Sequence, residues 1–224
     1  MIRLTRVTKS FGGRTVLNDV TLQVARGECV SITGAPKSGR TTLLRVIATL
    51  IRPTSGGLSV DGIDAVRDPV ASRRNVVYVS PAILTGTRLR VDEYLWFVGR
   101  ARSRSVSDRQ VAEACDRCGL ARGSDVDRLS PDGRAALAVA GAVLVSTDVL
   151  LVDDALGVVP DVARRERLAD ALRAARARGA TMLVASNGPG ELSAMSSRIV
   201  TLERGQLHEG LPALRQPGEA SWAH

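Results

Sequence analysis

Gly34-Ala35-Pro36-Lys37-Ser38-Gly39-Arg40-Thr41-Thr42 has the glycine, four residues, glycine, cation and hydroxyl of a phosphate-binding loop, with Arg40 where lysine is expected. Cys29-Val30-Ser31-Ile32 before it reads as a strand, and Thr41 to Ala48 after it reads as a helix opening at the loop. That order suits an anion. Successive backbone N–H groups and the positive end of the helix dipole form a concave site, a cation reaches the outer phosphates, and a hydroxyl ligates Mg²⁺. Thr41 can play the last part. At Arg40 a planar, longer guanidinium replaces a compact ammonium, which keeps the charge but changes its shape.

Around this loop, 224 residues with 44% hydrophobic content allow one substantial core, or one core carrying a smaller subdomain. No apolar stretch approaches the roughly 20 residues of a membrane span, and Met1-Ile2-Arg3-Leu4 lacks the apolar run of a secretory signal, so the expected location is the cytoplasm. The net charge of +8 comes from arginine, since Lys9 and Lys37 are the only lysines. These arginines are dispersed and no aromatic residues interleave with them, so a solvated surface is expected and nucleic acid is not. Cys29, Cys115 and Cys118 are an odd number in a chain of this size, which argues against a disulfide framework. The i, i+3 spacing of Cys115 and Cys118 fits the buried stripe of a helix, and the only histidines, His208 and His224, lie far along the chain. Mg²⁺ is the one metal implied.

Residues 2 to 8 and 20 to 24 alternate apolar and polar positions around the turn Phe11-Gly12-Gly13-Arg14, which predicts a small antiparallel sheet. Leu58-Ser59-Val60 and Val76 to Val79 read as strands. From about 82 to 128 the text is helical, including Val91 to Arg102 and Asp108 to Cys118, with no clear strand. Arg134 to Val145 is a further helix, and Val149-Leu150-Leu151-Val152 is a continuous apolar run of the kind buried on both faces of a parallel sheet, ending at Asp153-Asp154. An amphipathic stretch from Ala163 to Arg178, a strand over Thr181 to Ser186, and a closing hairpin around Glu203-Arg204-Gly205 complete the pattern.

In this order and spacing the chain resembles the ATP-binding subunit of ABC transporters over roughly residues 2 to 207. Arg52-Pro53-Thr54-Ser55-Gly56-Gly57-Leu58-Ser59-Val60-Asp61-Gly62 is very like the family's sequence after its first helix, Leu129-Ser130 stands where its LSGGQ signature begins, and Asp153-Asp154 ends the expected strand. The resemblance implies an α/β P-loop NTPase of ABC type: a mostly parallel central sheet, an N-terminal antiparallel β subdomain and an inserted helical subdomain at about 82–135. The nucleotide-binding domain would span 1–207 and a loose tail 208–224.

It also implies ATP and Mg²⁺ as ligands. Phe11 matches the aromatic that stacks on adenine, and Gly34, Ala35, Pro36, Lys37, Ser38, Gly39, Arg40, Thr41 and Thr42 match the loop that holds the phosphates. Thr41 and Asp153 match the Mg²⁺ ligands, Asp154 the glutamate that polarises water, Ser130 the signature serine, and Asn187 the switch histidine. Several positions depart from the family pattern. Pro36 supplies no N–H, Asp154 is one methylene short, Pro81 follows Ser80 where a glutamine is usual, Pro131 and Asp132 replace two signature glycines, and Pro160-Asp161 inverts the usual order. Two functions are therefore expected side by side. One is the ATP-binding subunit of a transporter, peripheral on the inner membrane face under a separate membrane permease, dimeric with itself or a related subunit, and hydrolysing ATP weakly. The other is a nucleotide-binding module with impaired catalysis that regulates or scaffolds a partner.

Overall fold

Cys29–Thr33 forms β3, and every one of its five residues is buried. Such a strand needs cover on both faces. A computed structural model supplies it and describes residues 2–83, 86–102, 105–145, 147–186 and 196–210. β3 lies parallel between β8 (Thr181–Ala185) and β9 (Arg198–Glu203), with β7 (Val149–Asp153) and then β6 (Val76–Val79) beyond β8. β10 (Gln206–Glu209) returns antiparallel on β9 and closes a six-stranded sheet. His208 and Glu209 thus belong to a strand, which corrects the placement of the tail at 208; residues 211–224 lie outside the described residues.

Alternation along β7 divides the interior in two. Leu150 and Val152 face one core with α5 (Pro131–Val145) and α6 (Val162–Ala177), while Val149 and Leu151 face the other with α1 (Arg40–Ile47). Full burial of each such leucine contributes about 1.5–3 kcal/mol, so β7 is fixed in place from both sides. The second core continues into an antiparallel sheet of order β2-β1-β4-β5: β1 (Ile2–Phe11), β2 (Arg14–Val24), β4 (Ser55–Val60) and β5 (Ile63–Asp64). Its strands outrun the alternating stretches seen in the sequence. A short α2 (Pro69–Arg73), N-capped by Asp68 through the Ala71 N–H at 2.9 Å, leads into β6.

Helices α3 (Val91–Ala101) and α4 (Asp108–Cys118) pack with α5 on the first core. α4 begins with a capping box between Ser107 and Gln110 and stops at Gly119, whose φ of +65° ends the helix in the left-handed region. Cys115 and Cys118 are buried on its inner face, as their spacing predicts. α5 starts three residues earlier than the apolar pattern suggested and takes in Pro131, Asp132 and Gly133; Pro131 is at home in a first turn, where no N–H is needed. It also runs past the expected boundary at 135, so one helix joins the helical insertion to the central sheet.

Candidate functional site

The loop from Gly34 to Gly39 leaves the carboxyl end of β3 and turns straight into α1. It is clamped from both sides. A Cβ on Gly34, whose φ is +148°, would sit 2.4 Å from the carbonyl oxygen of Leu202 on β9, and a Cβ on Gly39 would sit 3.1 Å from Val16 on β2. Inside the loop the Ser38 N–H donates to the carbonyl of Ala35 over 3.0 Å, and Lys37 takes a positive φ of 66°. α1 has no side-chain cap and no acidic residue in its first turn, which leaves the positive end of its dipole open to an anion. Ser38 Oγ is buried without a hydrogen-bond partner, so the loop holds a polar atom that a phosphate oxygen would satisfy. Pro36, Lys37 and Ser38 also line a cleft of about 930 Å³ that continues past Arg14 and Val16 to the β9–β10 turn at Arg204. Three cations on its wall, Arg14, Lys37 and Arg204, suit a phosphorylated ligand.

Arg40 opens α1 and directs Nη1 to the Ala35 carbonyl at 3.3 Å. Burial pulls its pKa below the ordinary arginine value, and the carboxylates of Asp154 and Asp153 act against that pull, so the guanidinium lies within the field of both acids. Thr41 Oγ1 donates to Asp153 Oδ1 over 3.0 Å, joining the start of α1 to the end of β7. The other oxygen, Oδ2, accepts from the Tyr78 hydroxyl, and Arg45 Nε donates to that same hydroxyl at 3.4 Å. Desolvation, followed by the bond to Asp153, pushes the Tyr78 phenol up to about 12. The expected pair Thr41 and Asp153 therefore meet, and the structure adds Tyr78. Sequence reasoning missed this residue, although its signal was present: Tyr78 pairs with Leu151, two residues before Asp153, so strand alternation puts all three on one sheet face. A hydroxyl and a carboxylate at one point are the hard oxygen donors that Mg²⁺ takes, so the residues present fit that ion.

Asp154 leaves β7 with φ +49°, held by its N–H to the Ala185 carbonyl at 3.0 Å. Its carboxylate lies where a Cβ on residue 157 would stand, 2.3 Å from Oδ1, so Gly157 makes room for it. Phe11 is 47% exposed at the end of β1, and Lys9 Nζ stands 4.7 Å from its ring centroid. Ser80 is buried, and Pro81 opens a 3₁₀ turn over Pro81–Ile83. Thr42, in the first turn of α1, makes no hydrogen bond to Asp153 or Asp154 among the described residues. Asn187 lies outside the described residues.

Ser130 stands just before α5 and makes no hydrogen bond to Gly34–Thr42 among the described residues. It bonds within its own turn, accepting from the Gly133 N–H at 3.3 Å. The Asp132 carboxyl is held below its usual range, first by its hydrogen bond with Ser130 and then by Arg164, whose Nη1 is 2.5 Å from Asp132 Oδ2. The negative charge that replaces a glycine is thus paired within the chain. Asp161 caps α6 by accepting from the Arg164 N–H at 2.6 Å, which gives the inverted Pro160-Asp161 order a local purpose.

Comparisons with known proteins bear on this arrangement. The sequence profile of the ABC transporter family matches residues 17–157. A phosphate import ATP-binding protein of Natronomonas pharaonis is 34% identical over 93% of this chain and 79% of its own length. A putative ABC transporter ATP-binding protein of Halobacterium salinarum is 30% identical over 92% and 91%. A spermidine/putrescine import ATP-binding protein of Mesoplasma florum is 28% identical over 93% of this chain, which spans 61% of that relative's length. Among solved structures, the dimeric ABC transporter cassette MJ0796 superposes with a TM-score of 0.83 at 23% identity, covering 95% of this chain and 100% of that one.

Proposed function

The chain belongs to the ABC transporter family of ATP-binding proteins, and from that membership we propose that the loop Gly34–Thr42 holds the phosphates of ATP while Thr41 and Asp153 hold Mg²⁺. The observation that carries this reading is the 3.0 Å bond from Thr41 to Asp153 beside a loop whose Ser38 hydroxyl is buried and unpartnered. Backbone N–H groups of the loop and the first turn of α1 bind the β- and γ-phosphate oxygens. Arg40 and Lys37 add positive charge, and the exposed face of Phe11 receives the base. The metal, when bound, neutralises phosphate charge. Asp154 accepts the proton of a water directed at the γ-phosphate, with Asn187 assigned to orient it.

Ser130 acts on a nucleotide held by a second cassette, either another copy or a related subunit. Binding and release of ATP then drive a separate membrane permease, with the chain peripheral on the inner face of the membrane. No helix among the described residues is long and apolar enough to cross a membrane itself. Turnover is slow, because the loop, the water-directing acid and the signature each depart from the family pattern, and single losses of this kind cost on the order of 10²–10³ in rate. The same departures support a second reading, in which the chain binds nucleotide and regulates or scaffolds its partner. Phosphate release from purified protein separates them. Arg40→Lys combined with Asp154→Glu raises turnover on the first reading. Unchanged nucleotide binding with no turnover before or after substitution favours the second.

A further inference from the structure

At the amino end of the central sheet, opposite Asp153 and the loop, a cleft of about 850 Å³ opens between α2, α3 and α5. Arg73, Arg74 and Arg102 line it, together with Asn75 before β6 and Thr147 before β7, over an apolar floor that includes Val145. None of the three arginines is paired with a carboxylate among the described residues. Arg102 is partly withdrawn from water, and that burial lowers its pKa. One of its nitrogens, Nη1, donates to the carbonyls of Arg73 at 2.8 Å and Arg74 at 3.4 Å. Arg73 Nε donates to the Pro69 carbonyl at 3.0 Å, so its two terminal nitrogens remain for another acceptor. Arg74 is exposed, and its guanidinium makes no hydrogen bond among the described residues.

The carboxyl ends of α2, α3 and α5 point toward the same cleft, and their carbonyls carry partial negative charge. Each full-length helix end supplies at most about half a unit, and a single turn such as α2 supplies less. Three formal positive charges exceed that sum, and the Arg102 bonds already answer the carbonyls at the end of α2. The planar forks of Arg73 and Arg74 are suited to paired oxygens of a phosphate or diphosphate. Asn75 and Thr147 contribute shape more than donors. The Asn75 amide donates to Asp61 at 3.3 Å, and the Thr147 hydroxyl donates to the Asn75 carbonyl at 2.7 Å.

We propose that this cleft is a second anion site, separate from the nucleotide loop, that binds a phosphate-bearing ligand with at least two negative charges through Arg73, Arg74 and Arg102. It does not depend on the function proposed above. Inorganic pyrophosphate is the probe, titrated without Mg²⁺ into ¹⁵N-labelled protein and read by amide shifts. The expected result is two separable sets of shifts, one at Gly34–Thr42 and one at Arg74, Asn75 and Thr147. Arg74→Glu should weaken the second set at least tenfold and leave the first unchanged; Arg74→Gln, which removes the charge without reversing it, should weaken it less. Shifts confined to Gly34–Thr42, or cleft shifts indifferent to Arg74→Glu, overturn the proposal. Sedimentation with phosphatidylcholine vesicles, with and without phosphatidylglycerol, identifies the source. Arg74-dependent binding to the acidic vesicles assigns a lipid headgroup, and its absence alongside pyrophosphate binding assigns a soluble phosphate; both support the site.

Discussion

Tyr78 donates its hydroxyl to Asp153 Oδ2, on the oxygen that Thr41 does not use. The carboxylate at the end of β7 is therefore oriented by two hydroxyls from two different elements before any ligand arrives. Asp153 is 6% exposed, so an oxygen stripped of its donor has little water to replace it. Tyr78→Phe should lower the unfolding free energy by about 1.5–3 kcal/mol, the range for a hydrogen bond to a charged group. Urea denaturation with a matched m-value measures it; a change below a few tenths would mean that the bond contributes nothing.

Clamping of the loop gives a second expectation. Gly34→Ala places a methyl group 2.4 Å from the Leu202 carbonyl, where backbone and not a flexible side chain must yield. A loss on the order of 3 kcal/mol follows from the clash and the strained φ together. Gly62→Ala serves as the comparison, because it shares a positive φ of 82° but meets nothing within 4 Å; its cost should stay at about 1–2 kcal/mol. Thermal melts of the two variants should rank accordingly.

What the sequence made legible was the part governed by local pattern. The loop, the apolar run of β7 and the buried cysteine stripe of α4 each follow from a few adjacent residues, and the order of the elements carried the resemblance. Tyr78 needed a strand pairing to be known, since its partner lies on another element. The start of α5 was hidden because Pro131-Asp132-Gly133 reads as a break, although a first turn tolerates proline and Ser130 accepts the Gly133 N–H. α2 is too short to show a period, and only its Asp68 cap and Pro69 mark it. The partner of Asp132 was likewise hidden, because Arg164 belongs to α6, 32 residues further along the chain.

That ion pair can be measured directly. The two side chains are 28% and 23% exposed, so screening is incomplete and the coupling should exceed that of a fully exposed pair. A double-mutant cycle with Asp132→Asn and Arg164→Gln should return about 1 kcal/mol of favourable interaction. Additive effects would show that the two charges are independent.

The three free cysteines, Cys29, Cys115 and Cys118, are all buried. Desolvation pushes the Cys118 thiol from 9.0 up to about 12. A raised thiol pKa stabilises the fold below the ordinary value, and that contribution is lost as pH rises from about 9 toward 12. Native protein at pH 8 should therefore resist alkylation, and all three thiols should react in denaturant. Stability should also begin to fall above about pH 9. Rapid labelling of Cys118 in the native state would place that thiol at the surface.

The most direct test of the account is a calorimetric titration with Mg-ATP of the native chain and of Asp153→Asn. One Mg²⁺-dependent site per chain is predicted, weakened at least about tenfold when the carboxylate is removed, corresponding to about 1.4 kcal/mol. Absence of binding, or binding indifferent to both Mg²⁺ and Asp153, would contradict the assignment of Gly34–Thr42 and Asp153 as a nucleotide site.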